Sequence, residues 1–216
     1  MVWDTKLLAV GVILGLAVPV RSATVGAGNP HLTVYVSDTA QTSARSLAQA
    51  EREAGRIFRN AGIILNWVDC ARVTGESAEA GCQRTPRPGE LALRILPRAR
   101  QAPDSVFGTS FLEPSGGIYA DIFLDRVRQL REVDPSLTLE PILGDVLAHE
   151  LGHLLLGTSS HTPAGLMQAH WKYPQLRLIE MGQLSFNSRE AALLRERVAF
   201  LQSSALVTRT ASSPEP

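Results

Sequence analysis

Apolar and polar positions along the chain change period several times, and each change marks an element. Leu32 to Val36 alternates with period two and carries β-branched residues, which predicts a first strand. From Thr42 to Asn60 the spacing becomes three and four. Leu47, Ala50, Ala54, Ile57, Phe58 and Ala61 share one side of a helix, and Arg45, Glu51, Arg52, Arg56 and Arg59 take the rest of its circumference. Gly62 ends it. Further strands are predicted over Ile63 to Asp69, Glu90 to Leu96, Ser105 to Leu112 and Gly117 to Asp125. In the last of these Ile118, Ala120, Ile122 and Leu124 face one way, with Tyr119, Asp121, Phe123 and Asp125 opposite. The stretches 71–89 and 126–140 read as connectors, the second with room for a short helical turn at its start. Pro141 sits in the first turn of a second long helix that runs to about Leu156 and stops at Gly157. A final helix starts near Asn187, which forms a capping-box pattern with Glu190, and extends to about Gln202. From Ser203 the small and polar residues predict a frayed tail over 203–216. The pattern describes one domain over 31–202, with an upper part to 157 and a lower part over 158–202.

The first residues belong to a different pattern. Lys6, the apolar stretch Leu7 to Val18, and small residues at Ser22, Ala23 and Ala27 read as an export signal over 1–22, with cleavage after Ser22 or as late as Ala27. The stretch falls short of the roughly 20 apolar residues that cross a bilayer, so a cleaved signal is favoured over a retained anchor. The expected location is secreted or extracytoplasmic, periplasmic in a Gram-negative cell, with no membrane attachment after cleavage. In such a compartment Cys70 and Cys82, the two cysteines of the chain, are expected to form a disulfide across a loop rich in Gly, Glu and Ala. A thiolate that ligates metal is the alternative. The 216 residues carry 21 basic and 21 acidic side chains. With no net field there is no electrostatic case for nucleic acid as a partner, and function must reside in a local site.

That site is announced by histidine. Four of the five histidines, His149, His153, His161 and His170, fall within 22 residues. His149-Glu150-Leu151-Gly152-His153 places two imidazoles four apart, on the same face of a helix, where both can reach one metal ion. Glu150 points about 100° around the helix from His149, beside the metal position but off it, where a carboxylate can take a proton from an activated water. The pentad lies among Ile142, Leu143, Val146, Leu147, Leu151, Leu154 and Leu155, an apolar setting in which imidazoles need partners. A buried, hydrogen-bonded histidine pair is the plainer alternative. Catalytic zinc takes three protein ligands and leaves a position open. Gly157 can reverse the chain so that His161 swings beneath the metal, which makes His161 the favoured third ligand. His170, Glu180 and Glu190 are the alternatives, Glu190 with a competing role as a helix cap.

These residues resemble the metzincin clan of zinc metalloproteases, whose pattern is His-Glu-x-x-His-x-x-Gly-x-x-His followed by a turn bearing a methionine. Here the pentad continues through Leu154, Leu155 and Leu156 to Gly157, then through Thr158, Ser159 and Ser160 to His161, and Ala164-Gly165-Leu166-Met167 follows. This is one residue more than the clan has on each side of the glycine. Met167 is similar to the clan's turn methionine, with core packing as its other reading. Phe107 to Pro114, Gly116-Gly117 and the strand after them are similar to the clan's edge strand, loop and following strand. The resemblance covers about residues 32–170. It implies an α+β, zincin-like fold: a mixed, mainly parallel five-stranded twisted sheet with an antiparallel edge strand, a backing helix, an active-site helix, and a small C-terminal subdomain with one helix. It implies Zn2+ as cofactor, His149, His153 and His161 as ligands, Glu150 as general base, and a peptide or protein substrate laid along Val106 to Leu112. Gly108, Thr109 and Ser110 would contact that substrate, Gly108 by admitting its backbone. Tyr173, beside Trp171 and Pro174, reads as packing, with a hydrogen-bond donor to the reacting group as the alternative. The expected function is a secreted zinc-dependent endopeptidase. The alternatives are a zinc-binding module without catalysis and a peptidase with a downstream glutamate as third ligand. Oligomeric state is not legible.

Overall fold

A computed structural model of the chain describes residues 29–211, apart from 100, 101, 104, 114 and 115. The expected signal over 1–22 lies outside the described residues. Five strands, β1 (His31–Asp38), β2 (Ile64–Asp69), β3 (Glu90–Leu96), β4 (Gly108–Glu113) and β5 (Gly116–Phe123), form one sheet in the order β2-β1-β3-β5-β4. All neighbours are parallel except β4, which runs antiparallel to β5 at the sheet's edge. Six helices complete the α+β fold: α1 (Ala44–Asn60), α2 (Glu76–Cys82), α3 (Leu124–Val133), α4 (Leu139–Leu156), α5 (Tyr173–Glu180) and α6 (Ser188–Ala211).

Period-two alternation decides which face of the sheet is covered. Leu32, Val34 and Val36 of β1, Leu91, Leu93 and Ile95 of β3, and Ala120 and Ile122 of β5 are all buried on the side that receives α1 and α4. Each buried Leu, Ile or Val among them contributes about 1.5–3 kcal/mol. The apolar side of α1, with Leu47, Ala50, Ala54, Ile57 and Phe58 buried, rests on the same core, and the Ser43 hydroxyl accepts from Ser46 N at 3.1 Å to cap its start. α4 is the central helix, buried over the whole run from Ile142 to Leu155. It approaches α1 so closely that a Cβ on Gly144 would lie 2.8 Å from Ala50 O. Gly157, at φ 64°, ends it, and its N–H donates to His153 O at 3.0 Å. On the opposite face of the sheet Arg94 is paired with Asp121 and stacks over Tyr119, which stacks in turn on Phe111. The disulfide between Cys70 and Cys82 is formed. It ties α2 against β1, where Gly81 meets the Tyr35 ring.

Several local expectations are corrected. The stretch expected as a loop between 71 and 89 contains α2. The connector after β5 is helical over ten residues, and β5 stops at Phe123 instead of Asp125. Leu124 and Val127, three apart, are fully buried, and that anchoring outweighs the charges around them. β4 begins at Gly108, three residues later than predicted. The lower part holds two helices instead of one: α5, opened by Pro174 and anchored by the buried Ile179, precedes α6. Finally, α6 runs to Ala211, so the expected tail is helical from Ser203 to that residue, and 212–216 lie outside the described residues.

Candidate metal centre

α4 carries the first two histidines one turn apart. The His149 Nδ1 donates to Leu166 O at 2.8 Å and the His153 Nδ1 to Thr158 O at 2.8 Å. These acceptors assign the proton to Nδ1 in both rings and leave the Nε2 lone pairs unprotonated. The two Nε2 atoms face each other at 3.0 Å, and His161 Nε2 stands 3.3 Å from that of His153. Lone pairs at such distances repel unless a cation lies between them. Tetrahedral zinc with Zn–N of about 2.0–2.1 Å separates its nitrogen ligands by about 3.3 Å, so the donor set fits such an ion. The ligand atoms of the three histidines all lie within 4.8 Å of one another, a group that could hold a metal. His149 and His153 are buried, while His161 sits exposed at the rim.

The loop that delivers His161 is fixed at several points. Gly157 turns the chain, Thr158 holds the His153 ring, and Thr162 N donates to Met167 O at 2.8 Å. Thr162 Oγ1 lies 2.8 Å from Glu190 Oε1 and 3.0 Å from Ala164 O. Met167 is buried beneath α4, with Sδ 2.7 Å from where a Gly152 Cβ would stand and Phe186 Cε1 at 2.9 Å. Gly152 therefore admits Met167 close against α4. Trp171 adds a second constraint: its Nε1 donates to the same Leu166 O at 3.2 Å, and its ring stands edge-on to His149 and stacks on Phe107.

The alternative ligands are accounted for elsewhere. Both oxygens of Glu180 are engaged by Thr138, from N at 2.7 Å and from Oγ1 at 2.9 Å. That contact is at the start of α4, ten residues or roughly 15 Å along the axis from His149. Glu190 accepts from Asn187 N at 2.8 Å, completing the expected cap, and faces Thr162. His170 lines the cleft but is outside the ligand group. Tyr173 is 66% exposed and is neither packed nor part of the cleft wall.

Glu150 is buried and lies in the same cleft, a cavity of about 440 Å³ between β4 and the segment 168–171. Ser110 Oγ is 2.7 Å from Glu150 Oε2 and 3.0 Å from Glu150 O. A Cβ on Gly108 would stand 2.7 Å from Glu150 Cγ and 2.8 Å from Asp121 O. The space that the missing side chain of Gly108 leaves is thus taken by Glu150. Burial raises the Glu150 carboxyl to about 7, partly opposed by the Ser110 hydroxyl. It lowers His149 to about 3, with His153 and His161 adding to the effect and the bond to Leu166 O opposing it. His153 and His161 are also lowered, each mainly by burial. At neutral pH the three rings are therefore uncharged, as metal binding would require.

Three features were not legible beforehand. Ser110 was named, but as a substrate contact; its bond to Glu150 joins residues 40 apart. The shared acceptor at Leu166 O carries no signal in side-chain pattern. Asp145, one turn before His149, is fully buried with no hydrogen-bond partner on either oxygen, and burial beside Glu53 raises its carboxyl well above the usual range. A lone aspartate in an apolar run was the available signal. Neither family models nor curated proteins gave a match to this chain when compared with it.

Proposed function

We propose that this chain is a zinc-dependent endopeptidase of metzincin type with a zincin-like fold, acting outside the cytoplasm on a peptide or protein substrate. One observation carries the reading: the ring nitrogens of three histidines converge in a cleft that also holds the buried carboxyl group of Glu150. His149, His153 and His161 would hold the ion, which when bound supplies Lewis-acid polarisation of a peptide carbonyl and of a water molecule. Glu150 would take the proton of the attacking water and return it to the leaving amine. In the metal-free site burial raises its carboxyl to about 7, which favours proton uptake. The cleft runs along β4, the edge of the sheet, where an extended substrate segment would find main-chain partners. The disulfide accords with an oxidising compartment.

A zinc-binding module without catalysis remains the rival. Against it stand the three-histidine group among the described residues, one ligand short of a closed structural site, and the cleft beside it. The deciding experiment is Glu150→Gln, with zinc content by elemental analysis and digestion of a broad peptide library. The expected result is a zinc-loaded protein with hydrolysis lost; near-native turnover by the variant refutes the role of Glu150.

A further inference from the structure

β4 does more at this site than close the sheet. Its inward face, toward α4, presents Gly108 and Ser110, two residues apart, and both meet the side chain of Glu150. Glycine weakens a strand and marks a close approach. Here Glu150 Cγ and Cδ would lie 2.7 and 2.8 Å from a Cβ at position 108, so the carboxylate stem is seated in a slot that only a glycine leaves open. At the end of the slot the Ser110 hydroxyl meets Glu150 Oε2 at 2.7 Å. Oε1 has no protein donor among the described residues.

A glutamate side chain has three rotatable bonds, and fixing them in a buried site costs conformational entropy. The slot and the serine meet that cost in the folded protein before any substrate arrives. They also distinguish the two carboxylate oxygens: one is held by a hydroxyl and the other is left to exchange protons. We propose that Ser110 is a positioning residue for Glu150, holding Oε2 so that Oε1 is the oxygen that takes and returns the proton. The proposal rests on the peptidase reading. It reassigns Ser110 from substrate contact to support of the base, and it makes the strand along which substrate would lie the same strand that orients the base. The hydroxyl also lies 3.0 Å from Glu150 O, so a purely structural role, tying β4 to α4 through the main chain, is the rival account.

The test compares Ser110→Ala and Ser110→Thr with the native protein, all zinc-loaded, on one peptide taken from the library digest. A lost hydrogen bond to a charged group predicts that Ser110→Ala lowers kcat about 10- to 100-fold while KM stays within about twofold, with rescue by Ser110→Thr. In a Glu150→Gln background, Ser110→Ala should bring little further loss. A second readout needs no metal: the infrared band of the Glu150 carboxyl, identified by its disappearance in Glu150→Gln, should shift in Ser110→Ala and return in Ser110→Thr. Native kcat with an unmoved band overturns the proposal. So does a loss confined to thermal stability or to KM. If the zinc-loaded native protein cleaves no peptide, the peptidase reading fails and the catalytic role of Ser110 fails with it, while the infrared comparison still decides whether the contact exists.

Discussion

Zinc binding should be unusually resistant to acid, and the structure allows the size of the effect to be worked out. Three ordinary histidines with values near 6.5 would each be about 30-fold more protonated than neutral at pH 5, so proton competition would weaken a three-histidine site by about 10⁴ to 10⁵. In this protein burial holds His149 at about 3, and the neighbouring His153 pushes it the same way. His149 therefore offers protons no competition in that window, which removes about 2 kcal/mol of the penalty. His153 and His161 are lowered as well, so each contributes less than the ordinary 30-fold. The expected loss of zinc affinity between pH 7.5 and pH 5 is below about 10³, with a slope of log Kd against pH shallower than two. Competition against a chromophoric chelator, calibrated at each pH, measures it on the purified protein without any assumption about substrate. A slope approaching three, with affinity falling by 10⁴ or more, would refute the claim that His149 is uncharged and shielded in the metal-free site.

Two further outcomes follow from buried groups and from the cross-link. Asp145 has a folded-state value raised well above 3.8, so its contribution favours the fold in acid and is lost as pH rises. Asp145→Asn should therefore stabilise the protein by more at pH 8 than at pH 4, by at least about 1 kcal/mol or some 2–4 °C in melting temperature; a pH-independent difference would contradict the assignment. Removing the disulfide by Cys70→Ala with Cys82→Ala, which opens a loop of sequence separation 12, should cost about 2–4 kcal/mol in denaturant unfolding. Zinc affinity should be unchanged, because the pair joins α2 to the end of β2 and lines no part of the histidine cleft; a loss of zinc binding would show that the cross-link supports the site.

How much of this was legible in sequence depended on the distance over which each feature is encoded. Strands β1, β2, β3 and β5 and helices α1 and α4 follow from local pattern, because alternation at two or at three and four is a property of neighbouring residues, and in β1, β3 and α1 the buried positions are the predicted ones. The His149 and His153 pair is of the same kind: four residues on a helix bring two imidazoles together whatever surrounds them. α2, α3 and α5 escaped for the opposite reason. They are short, charged or proline-led segments whose helical state is secured by contacts from elsewhere, Leu124 and Val127 in the core, Ile179 in the lower part, and Cys70 across the disulfide.

The amino-acid order alone therefore determined the periodic elements, the helix that carries His149 and His153 with Glu150 between them, and the set of side chains able to bind metal. The tertiary structure decided among them. It brought His161 to His153 and committed Glu180 to Thr138 and Glu190 to its cap. It turned Gly108 and Ser110 toward Glu150 and set Met167 beneath Gly152. Each of these choices joins residues far apart in the chain or depends on how a loop closes. Spacing can say which donors exist, but only packing, which buries one carboxylate and ties another to a threonine, fixes where each one points.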